Sequence, residues 1–251
     1  MKVKKFTVIL IAILFALAVL TAVFFIFTIK KIDVSYSITE DYDNSQITQT
    51  LNSFEGKNLL FFDLEQIEES LEKFPDLKII SIEKKYPGII KVAISERLPV
   101  FNLAVDNKTY TLDREGVIIK ITDGKIESSR ETIDLLTEGV SIIEPTLGQR
   151  VVCSDQALFD SAILMANNVD LTDCIKTINV KSDGLGELKD VEFLTYTGVK
   201  ITVTKADQRP KDKILEAFKS YDSVTVDFIK SYSEILVYVA DDGNISVDWI
   251  S

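Results

Sequence analysis

The chain begins with a long apolar stretch, and apolar and polar positions start to alternate only after it. Residues 6–29 include no charged residue, no Gly and no Pro. At about 1.5 Å per residue, a helix of this length crosses the roughly 30 Å hydrocarbon core of a bilayer. The stretch therefore predicts a transmembrane helix, with residues 1–5 as a short cytoplasmic tail. A cleaved signal peptide is the alternative, since Ala16-Leu17-Ala18 fits a cleavage site, but a signal core spans only about 7–15 residues.

Residues 30–96 have the pattern of a small α+β domain with the order β-α-α-β-β. Apolar residues alternate with polar ones over 32–38, which is typical of a half-buried strand. Two short helices follow, with Asn44 as the cap of the first and Asp63 and Gln66 at capping-box spacing in the second. Two further strands are predicted over 77–86 and 89–95, joined by a Pro87-Gly88 turn.

Residues 97–240 predict a second, strand-rich mixed β domain with two helices, and residues 241–251 form a C-terminal extension. Ser154 is a good cap for the first helix, whose apolar face extends to Val169. The second helix begins at Pro210, and a last strand over 245–249 fits after the Asp241–Asn244 turn. The other predicted strands cover 100–105, 109–112, 117–121, 175–180, 191–195, 199–203, 224–228 and 235–239.

Charge is distributed unevenly on the two sides of the apolar stretch. Three of the 28 basic residues, Lys2, Lys4 and Lys5, precede it, and all 39 acidic residues follow it. The remainder of the chain is therefore strongly acidic, which argues against a nucleic-acid partner. Compared with Lys30 and Lys31 on the other side, the N-terminal lysines give a small bias toward a cytoplasmic N-terminus and an extracytoplasmic remainder.

The chain has no histidine, which removes several classes of chemistry. Ser-His-Asp and Cys-His mechanisms, His-ligated zinc and an imidazole pH switch are excluded. Ser81 and Lys84 have the Ser-x-x-Lys spacing of penicillin-binding enzymes, but they fall in a predicted strand, where positions three apart face opposite sides. The sequence thus offers no catalytic, cofactor-binding or metal-ligating residue, and it predicts no cofactor and no small-molecule substrate.

The two cysteines, Cys153 and Cys174, lie on either side of the first helix of the second domain. An even number of cysteines in an extracytoplasmic domain permits a disulfide. Two free thiols are the alternative, and we favour it because a domain of this size does not depend on a cross-link.

Several short motifs follow one another behind the apolar stretch. They are Gly56-Lys57-Asn58-Leu59-Leu60, Phe74-Pro75, Lys84-Lys85-Tyr86-Pro87, Ser95-Glu96-Arg97-Leu98-Pro99-Val100, Leu112-Asp113-Arg114-Glu115-Gly116, Thr197-Gly198-Val199-Lys200 and the helix around Lys213. Their order and spacing resemble those of the FtsQ/DivIB family of bacterial cell-division proteins. The resemblance covers nearly the whole chain and implies a polypeptide-transport-associated (POTRA) domain of the FtsQ type after the membrane helix.

This resemblance implies a non-catalytic, single-pass type II scaffold of the cell membrane at the division septum. Its implied partners are FtsL-like and FtsB/DivIC-like membrane proteins, and its role is to support septal wall synthesis. Members of the family bind a partner segment by adding a strand to a sheet edge in the C-terminal domain. On this chain the matching edge is expected within Ser233–Val239, and the strand over 245–249 either covers that edge or forms a new one. The expected partner-binding residues are Ile235, Val237, Tyr238, Val239 and Trp249.

Glu96, Arg97 and Pro99 lie between the two predicted domains. One interpretation is an inter-domain hinge, in which Arg97 binds Glu96 or a neighbouring carboxylate and Pro99 stiffens the exit. The other is a solvated charge pair beside a linker proline.

Two other functions are compatible with this organisation. An extracytoplasmic sensor or secretion chaperone could use a POTRA-type module for a different partner. An anchored cell-wall enzyme is a further alternative, but the missing histidine and the lack of a placed nucleophile argue against it.

Overall fold

The computed structural model describes residues 2–39, 42–126, 131–168, 174–229 and 231–251. Its contacts divide the chain into two compact units, residues 1–96 and 97–251. The first unit begins with helix α1, Lys2–Ile26. Within it, Thr7–Ile26 has a mean hydropathy of 3.1 over its most apolar window and buries none of that window. By length and composition, this helix can cross a membrane.

The remainder of the first unit is the predicted β-α-α-β-β layer. Strand β3 is central in a three-stranded sheet, parallel to β1 and antiparallel to β2. Helices α2 and α3 bury their apolar faces against this sheet, with Ile47, Leu51 and Ile67 almost fully inaccessible. The elements are β1 Lys31–Ser37, α2 Ser45–Asn52, α3 Glu65–Leu71, β2 Leu77–Lys85 and β3 Ile89–Glu96.

The caps predicted for these two helices are wrong in detail. The side chain of Asn44 makes no capping hydrogen bond to α2. Asp63 Oδ1 accepts a hydrogen bond from the Glu65 amide, but Gln66 Oε1 accepts one from Lys57 Nζ instead of completing a capping box. The polar residues therefore stabilise the adjoining loops, and packing of the apolar faces positions the helices.

The second unit is built on one nine-stranded mixed sheet with the order β14-β13-β12-β11-β10-β7-β4-β5-β6. Its strands are β4 Phe101–Val105, β5 Lys108–Leu112, β6 Ile118–Asp123, β7 Ile133–Glu138, β10 Ile175–Ser182, β11 Lys189–Thr195, β12 Lys200–Val203, β13 Glu234–Val239 and β14 Ile245–Ile250. A separate two-residue pair joins β8 Ile142–Ile143 to β9 Val152–Cys153. The helices are α4 Gln156–Asn167, α5 Pro210–Asp222 and the short α6 Val226–Ile229.

Helices α4 and α5 belong to the same buried core as the inward-facing residues of this sheet. Phe159 of α4, Phe193 of β11 and Ile214 of α5 are completely inaccessible. Asp155, not the predicted Ser154, caps α4 by accepting a hydrogen bond from the Leu158 amide. Val169, which the pattern assigned to this helix, lies outside the described residues. The predicted α+β fold, with its apolar helix, β-α-α-β-β layer and strand-rich second part, is confirmed.

Parts of the secondary structure of the second unit differ from what the sequence predicted. The sequence predicted a strand over 224–228, but α6 occupies this region because Thr225 Oγ1 accepts a hydrogen bond from the Phe228 amide and begins a helical turn. Strand β7 was not predicted, although it lies between β4 and β10 and is parallel to both. Its sequence, Ile133-Asp134-Leu135-Leu136, has an apolar residue on its outer face, which breaks the alternation.

Candidate functional site

Strand β14 forms one end of the nine-stranded sheet, and β13 lies inside it. β13 is parallel to β12 on one side and antiparallel to β14 on the other. The two strands form a hairpin, closed by a hydrogen bond of 2.8 Å from the Ala240 amide to the Asn244 carbonyl and by Gly243 with φ +82°. Within the described residues, the open edge at this end of the sheet is therefore β14. The placement of that edge in Ser233–Val239 is wrong, and the alternative of a new edge formed by the last strand is the one observed.

The hairpin register identifies which backbone groups of β14 are open. In an antiparallel pair, alternate residues exchange both backbone hydrogen bonds with the partner strand. Because Ala240 bonds to Asn244, the even-numbered residues of β14 are the ones that face β13. The N–H and C=O groups of Ile245, Val247 and Trp249 consequently point away from the sheet. We call these three residues the outer edge.

The side chains of the outer edge pack against the core. Ile245, Val247 and Trp249 are partly buried and contact the core of the second unit. On the opposite face, Tyr238 donates a hydrogen bond of 2.8 Å from its hydroxyl to Asp248 Oδ2, and this bond raises the Tyr238 pKa. The outer edge thus combines anchored side chains with unpaired backbone groups, and this combination makes a rigid template for another strand.

Trp249 lies in a small aromatic cluster with Phe228 and Tyr232. The Phe228 and Tyr232 rings stack with centroids 4.5 Å apart, and each meets the indole nearly edge-on, at 5.2 and 5.7 Å. The indole Nε1–H donates a hydrogen bond of 3.0 Å to Ser220 Oγ on α5. Trp249 therefore connects the end of β14 to α5 and to the segment around α6. Phe228, which is 38% exposed, offers an accessible apolar surface beside the edge.

A shallow groove of about 430 Å³ runs between α5 and the start of β14. Arg209 borders it with its left-handed backbone (φ +50°), donating hydrogen bonds to Asp212 Oδ2 and to the Gly243 carbonyl. Leu215 is 42% exposed in this groove, so apolar surface is available next to the carboxylates. We call this the α5 groove; its lining residues are Arg209, Asp212, Leu215, Glu216, Asn244 and Ile245.

Lys213 lies on the buried face of α5 and binds the segment between β12 and α5. It is completely inaccessible, and its Nζ donates two hydrogen bonds of 2.8 Å to the carbonyls of Thr204 and Lys205. Burial lowers its pKa, partly offset by Asp207 and Asp190. The Thr204 amide in turn donates to the Val237 carbonyl of β13. Sequence reasoning noted Lys213 only as part of a matching helix; its position on the apolar face with Ile214 and Phe218 was the available signal.

The five predicted partner-binding residues therefore have different surroundings. Ile235 and Val237 are fully buried in the core and cannot contact a partner through their side chains. Tyr238 and Val239 are partly exposed on β13, and Trp249 is on the outer edge. The predicted Ile235–Val239 segment is thus one strand inside the sheet, while Trp249 belongs to the open strand.

Two of the proposed hinge residues, Glu96 and Arg97, have polar contacts within their own units. Glu96 Oε2 accepts a hydrogen bond of 2.9 Å from the Thr39 amide. Arg97, with a side chain only 16% exposed, binds the carboxylates of Asp113 and Glu115. Asp113 is itself buried and also accepts from the amides of Glu115 and Val117. The anchoring carboxylates of Arg97 thus come from the Asp113–Gly116 turn, which sequence reasoning quoted as a motif but did not pair with Arg97. The hinge role of Glu96, Arg97 and Pro99 stays a prediction.

The described residues include no cluster of acidic or cysteine side chains that could hold a metal ion. Ser81 and Lys84 both lie on strand β2 of the first unit. Cys153 and Cys174 form no disulfide, and burial raises the Cys153 pKa to about 11. The arrangement with the clearest chemical capability is therefore the outer edge, which can form main-chain hydrogen bonds with an extended peptide.

Comparison with known proteins finds one family model and relatives among bacterial cell-division proteins. A family model described as "POTRA domain, FtsQ-type" matches residues 27–97. The chain is 26% identical over 152 residues to the cell division protein DivIB of Clostridium acetobutylicum, an alignment that covers 59% of each chain. It is 22% identical over 214 residues to DivIB of Clostridium botulinum, covering 84% of this chain and 78% of that protein. It is also 27% identical over 92 residues to the cell division protein FtsQ of Myxococcus fulvus, covering 36% and 32%.

Proposed function

We propose that this chain is a member of the FtsQ/DivIB family of cell-division proteins and acts as a non-catalytic, membrane-anchored scaffold of the division machinery. In this proposal α1 spans the membrane with the N-terminus in the cytoplasm, and both units lie outside the cytoplasm at the septum. The function is binding, and the second unit binds a partner segment by strand addition at the outer edge. The observation that supports this most directly is the open backbone of Ile245, Val247 and Trp249 at the end of the sheet.

An added strand would pair with the outer edge and extend the sheet from nine strands to ten. Three N–H donors and three C=O acceptors are available, and each net hydrogen bond contributes roughly 0.5–1.5 kcal/mol. Alternate side chains of the partner would enter the α5 groove and meet Leu215 beside Asp212 and Glu216. We expect the partner segment to alternate apolar and basic residues, because the groove combines exposed apolar surface with carboxylates.

The partners that we propose are an FtsL-like and an FtsB/DivIC-like membrane protein of the same organism. This assignment follows from the family resemblance and from the acidic character of the chain, whose net charge is −11. An acidic surface attracts basic partner segments and slows association with other acidic chains.

The test uses a pair of proline substitutions on the two end strands of the sheet. Val247→Pro removes an outward N–H from β14 without removing a bond to β13. Ile121→Pro is the matched control: it lies on β6 at the opposite end of the sheet, and the Gly124-to-Asn107 hydrogen bond makes its N–H an outward one too. Binding of the full-length chain in nanodiscs to the full-length FtsB/DivIC-like protein is then measured for each variant.

We expect Val247→Pro to weaken binding about tenfold or more, since loss of roughly 1.4 kcal/mol changes the affinity tenfold and the ring also blocks the incoming strand. Ile121→Pro should leave the affinity within about twofold of that of the unsubstituted chain. Circular dichroism checks that both variants remain folded. Equal affinities for the two variants would reject the outer edge as the binding site. Binding of secretion components in place of the division proteins would favour a secretion chaperone.

A further inference from the structure

The apolar helix α1 is connected to the POTRA layer by hydrogen bonds on one side of its C-terminal end. The side-chain amide of Asn58 donates a hydrogen bond of 2.9 Å to the Phe24 carbonyl, in the last turn of α1. The Leu59 amide donates to the Phe27 carbonyl, and the Ile29 amide donates to the Lys57 carbonyl. The loop that contains Asn58 therefore sits beside the end of the helix.

The turn between β2 and β3 reaches the same point from another direction. The Lys30 amide donates a hydrogen bond of 2.8 Å to the Gly88 carbonyl. A Cβ atom on Gly88 would lie 2.6 Å from the Thr28 carbonyl oxygen, so only glycine permits this approach. The rings of Phe27 and Tyr86 meet nearly edge-on with centroids 5.9 Å apart. Both loops are thus held at a fixed position along the axis of α1, beside its C-terminal end.

If α1 spans a bilayer, this position lies at the border of the hydrocarbon core. The apolar span Thr7–Ile26 has 20 residues, which is about the length needed to cross a hydrocarbon core of roughly 30 Å. Phe24 is within three residues of the end of this span, and Asn58 is hydrogen-bonded to it. The Asn58 loop and the Tyr86 turn must then occupy the headgroup region that adjoins the core.

Both loops expose large apolar side chains at this position. Phe61 is 83% exposed, Tyr86 58% and Leu60 39%. Exposed lysines lie close by in the chain, including Lys31 and Lys85, with side chains 68% and 52% exposed although each pairs with a carboxylate. Exposed aromatic side chains next to lysines are typical of protein surfaces that lie in a membrane interface.

We propose that Phe61, Leu60 and Tyr86 form a membrane-contacting surface of the POTRA layer and insert into the lipid interface around the exit of α1. The proposal rests on the membrane anchorage of α1 proposed above. The partner is a lipid surface, chosen over a protein because the hydrogen bonds of Asn58 and Lys30 fix these side chains at the height of the last helical turn. Contact at two loops on different sides of the helix holds the first unit in one orientation on the membrane.

The test places a fluorescent reporter on this surface. Trp249 is the only tryptophan, so Trp249→Phe gives a background without indole emission. Phe61→Trp and Tyr86→Trp are introduced separately into this background. Ile80→Trp is the matched control, because Ile80 is an equally exposed apolar residue (57%) on β2, and it lies about 20 Å along the strand from Tyr86. The full-length chains are reconstituted into phosphatidylethanolamine–phosphatidylglycerol vesicles with or without lipid brominated near the headgroup.

We expect brominated lipid to reduce the emission of Phe61→Trp and Tyr86→Trp about twofold or more, and to leave that of Ile80→Trp unchanged. Equal quenching of all three reporters, or quenching of none, in chains that remain with the vesicles would overturn the lipid contact while leaving anchorage intact. In the latter case the surface is available for a juxtamembrane segment of another protein. Release of the chain from vesicles by alkaline carbonate would instead overturn the membrane anchorage and this inference with it. Circular dichroism verifies that each variant folds.

Discussion

Replacement of Lys213 with methionine tests whether a buried cation stabilises the region behind the outer edge. Lys213→Met keeps most of the side-chain volume and removes two hydrogen bonds of 2.8 Å, to the carbonyls of Thr204 and Lys205. Two charge-assisted bonds contribute together about 3 kcal/mol, and relief from the burial of the ammonium group returns about 1 kcal/mol. We therefore expect a net loss of about 2 kcal/mol in the free energy of unfolding of the second unit.

The assay uses the emission of Trp249, which lies in the second unit and hydrogen-bonds to Ser220 on the same helix as Lys213. For a unit of this size, a loss of 2 kcal/mol lowers the melting temperature by about 4–8 °C. Lys219→Met is the control on the same helix, because the Lys219 side chain is 75% exposed and pairs with Glu216 at the surface. We expect its effect to stay below about 0.5 kcal/mol.

The pH dependence of the free energy of unfolding provides a second, independent test of the Lys213 contribution. Because burial lowers the folded-state pKa of Lys213 below that of the unfolded chain, the unfolded chain holds one more proton between these two values. The stability contributed by this group therefore rises as pH increases through that window toward 10.5, the ordinary pKa of a lysine. Lys213→Met lacks this contribution, so the stability difference between the two chains should widen with pH. A substitution that leaves stability within 0.5 kcal/mol, with no pH-dependent difference, would refute the reasoning.

Two further outcomes concern the second unit. Arg97→Met leaves the buried carboxylate of Asp113, whose side chain is 6% exposed, without its cation. We therefore expect urea unfolding to show a loss of about 3 kcal/mol in the free energy of unfolding, with partial recovery in Arg97→Met/Asp113→Asn. Equal stability of the two variants and the unsubstituted chain would contradict this. In Cys174→Ser, Cys153 is the only thiol of the chain. Because its pKa is raised to about 11, we expect Ellman's reagent at neutral pH to react about 100-fold more slowly with the folded chain than with the chain in urea. Similar rates would contradict the burial of this thiol.

The sequence pattern was sufficient for the elements whose apolar residues repeat with a single period. The helix over Gln156–Asn167 and the strands on either side of Pro87-Gly88 are close to their predicted positions. The pattern failed where a single polar contact decides the conformation. At 224–228 the alternation predicted a strand, but the Thr225 hydroxyl caps a helical turn.

The open edge could not be assigned from sequence because strand order is a property of the whole sheet. Strands β13 and β14 both show alternation, and only the pairing of β13 with β12 places it inside. Likewise, the partners of Arg97 are 16 and 18 residues away along the chain, at Asp113 and Glu115, and no local spacing predicts them. Such non-local pairings depend on how the chain folds back, which a periodic pattern does not encode.

The geometry of β14 separates stability from binding in a way that can be measured at one position. The side chain of Val247 packs against the core, whereas its N–H and C=O point away from β13. Val247→Ala removes apolar contact but keeps the backbone donor, so we expect it to lower stability by roughly 1 kcal/mol and to leave partner affinity nearly unchanged. Val247→Pro removes the backbone donor, so it should lower partner affinity more than stability. Since main-chain bonding is common to all extended peptides, selectivity must then come from partner side chains that meet the α5 groove, where Leu215 lies beside Asp212 and Glu216.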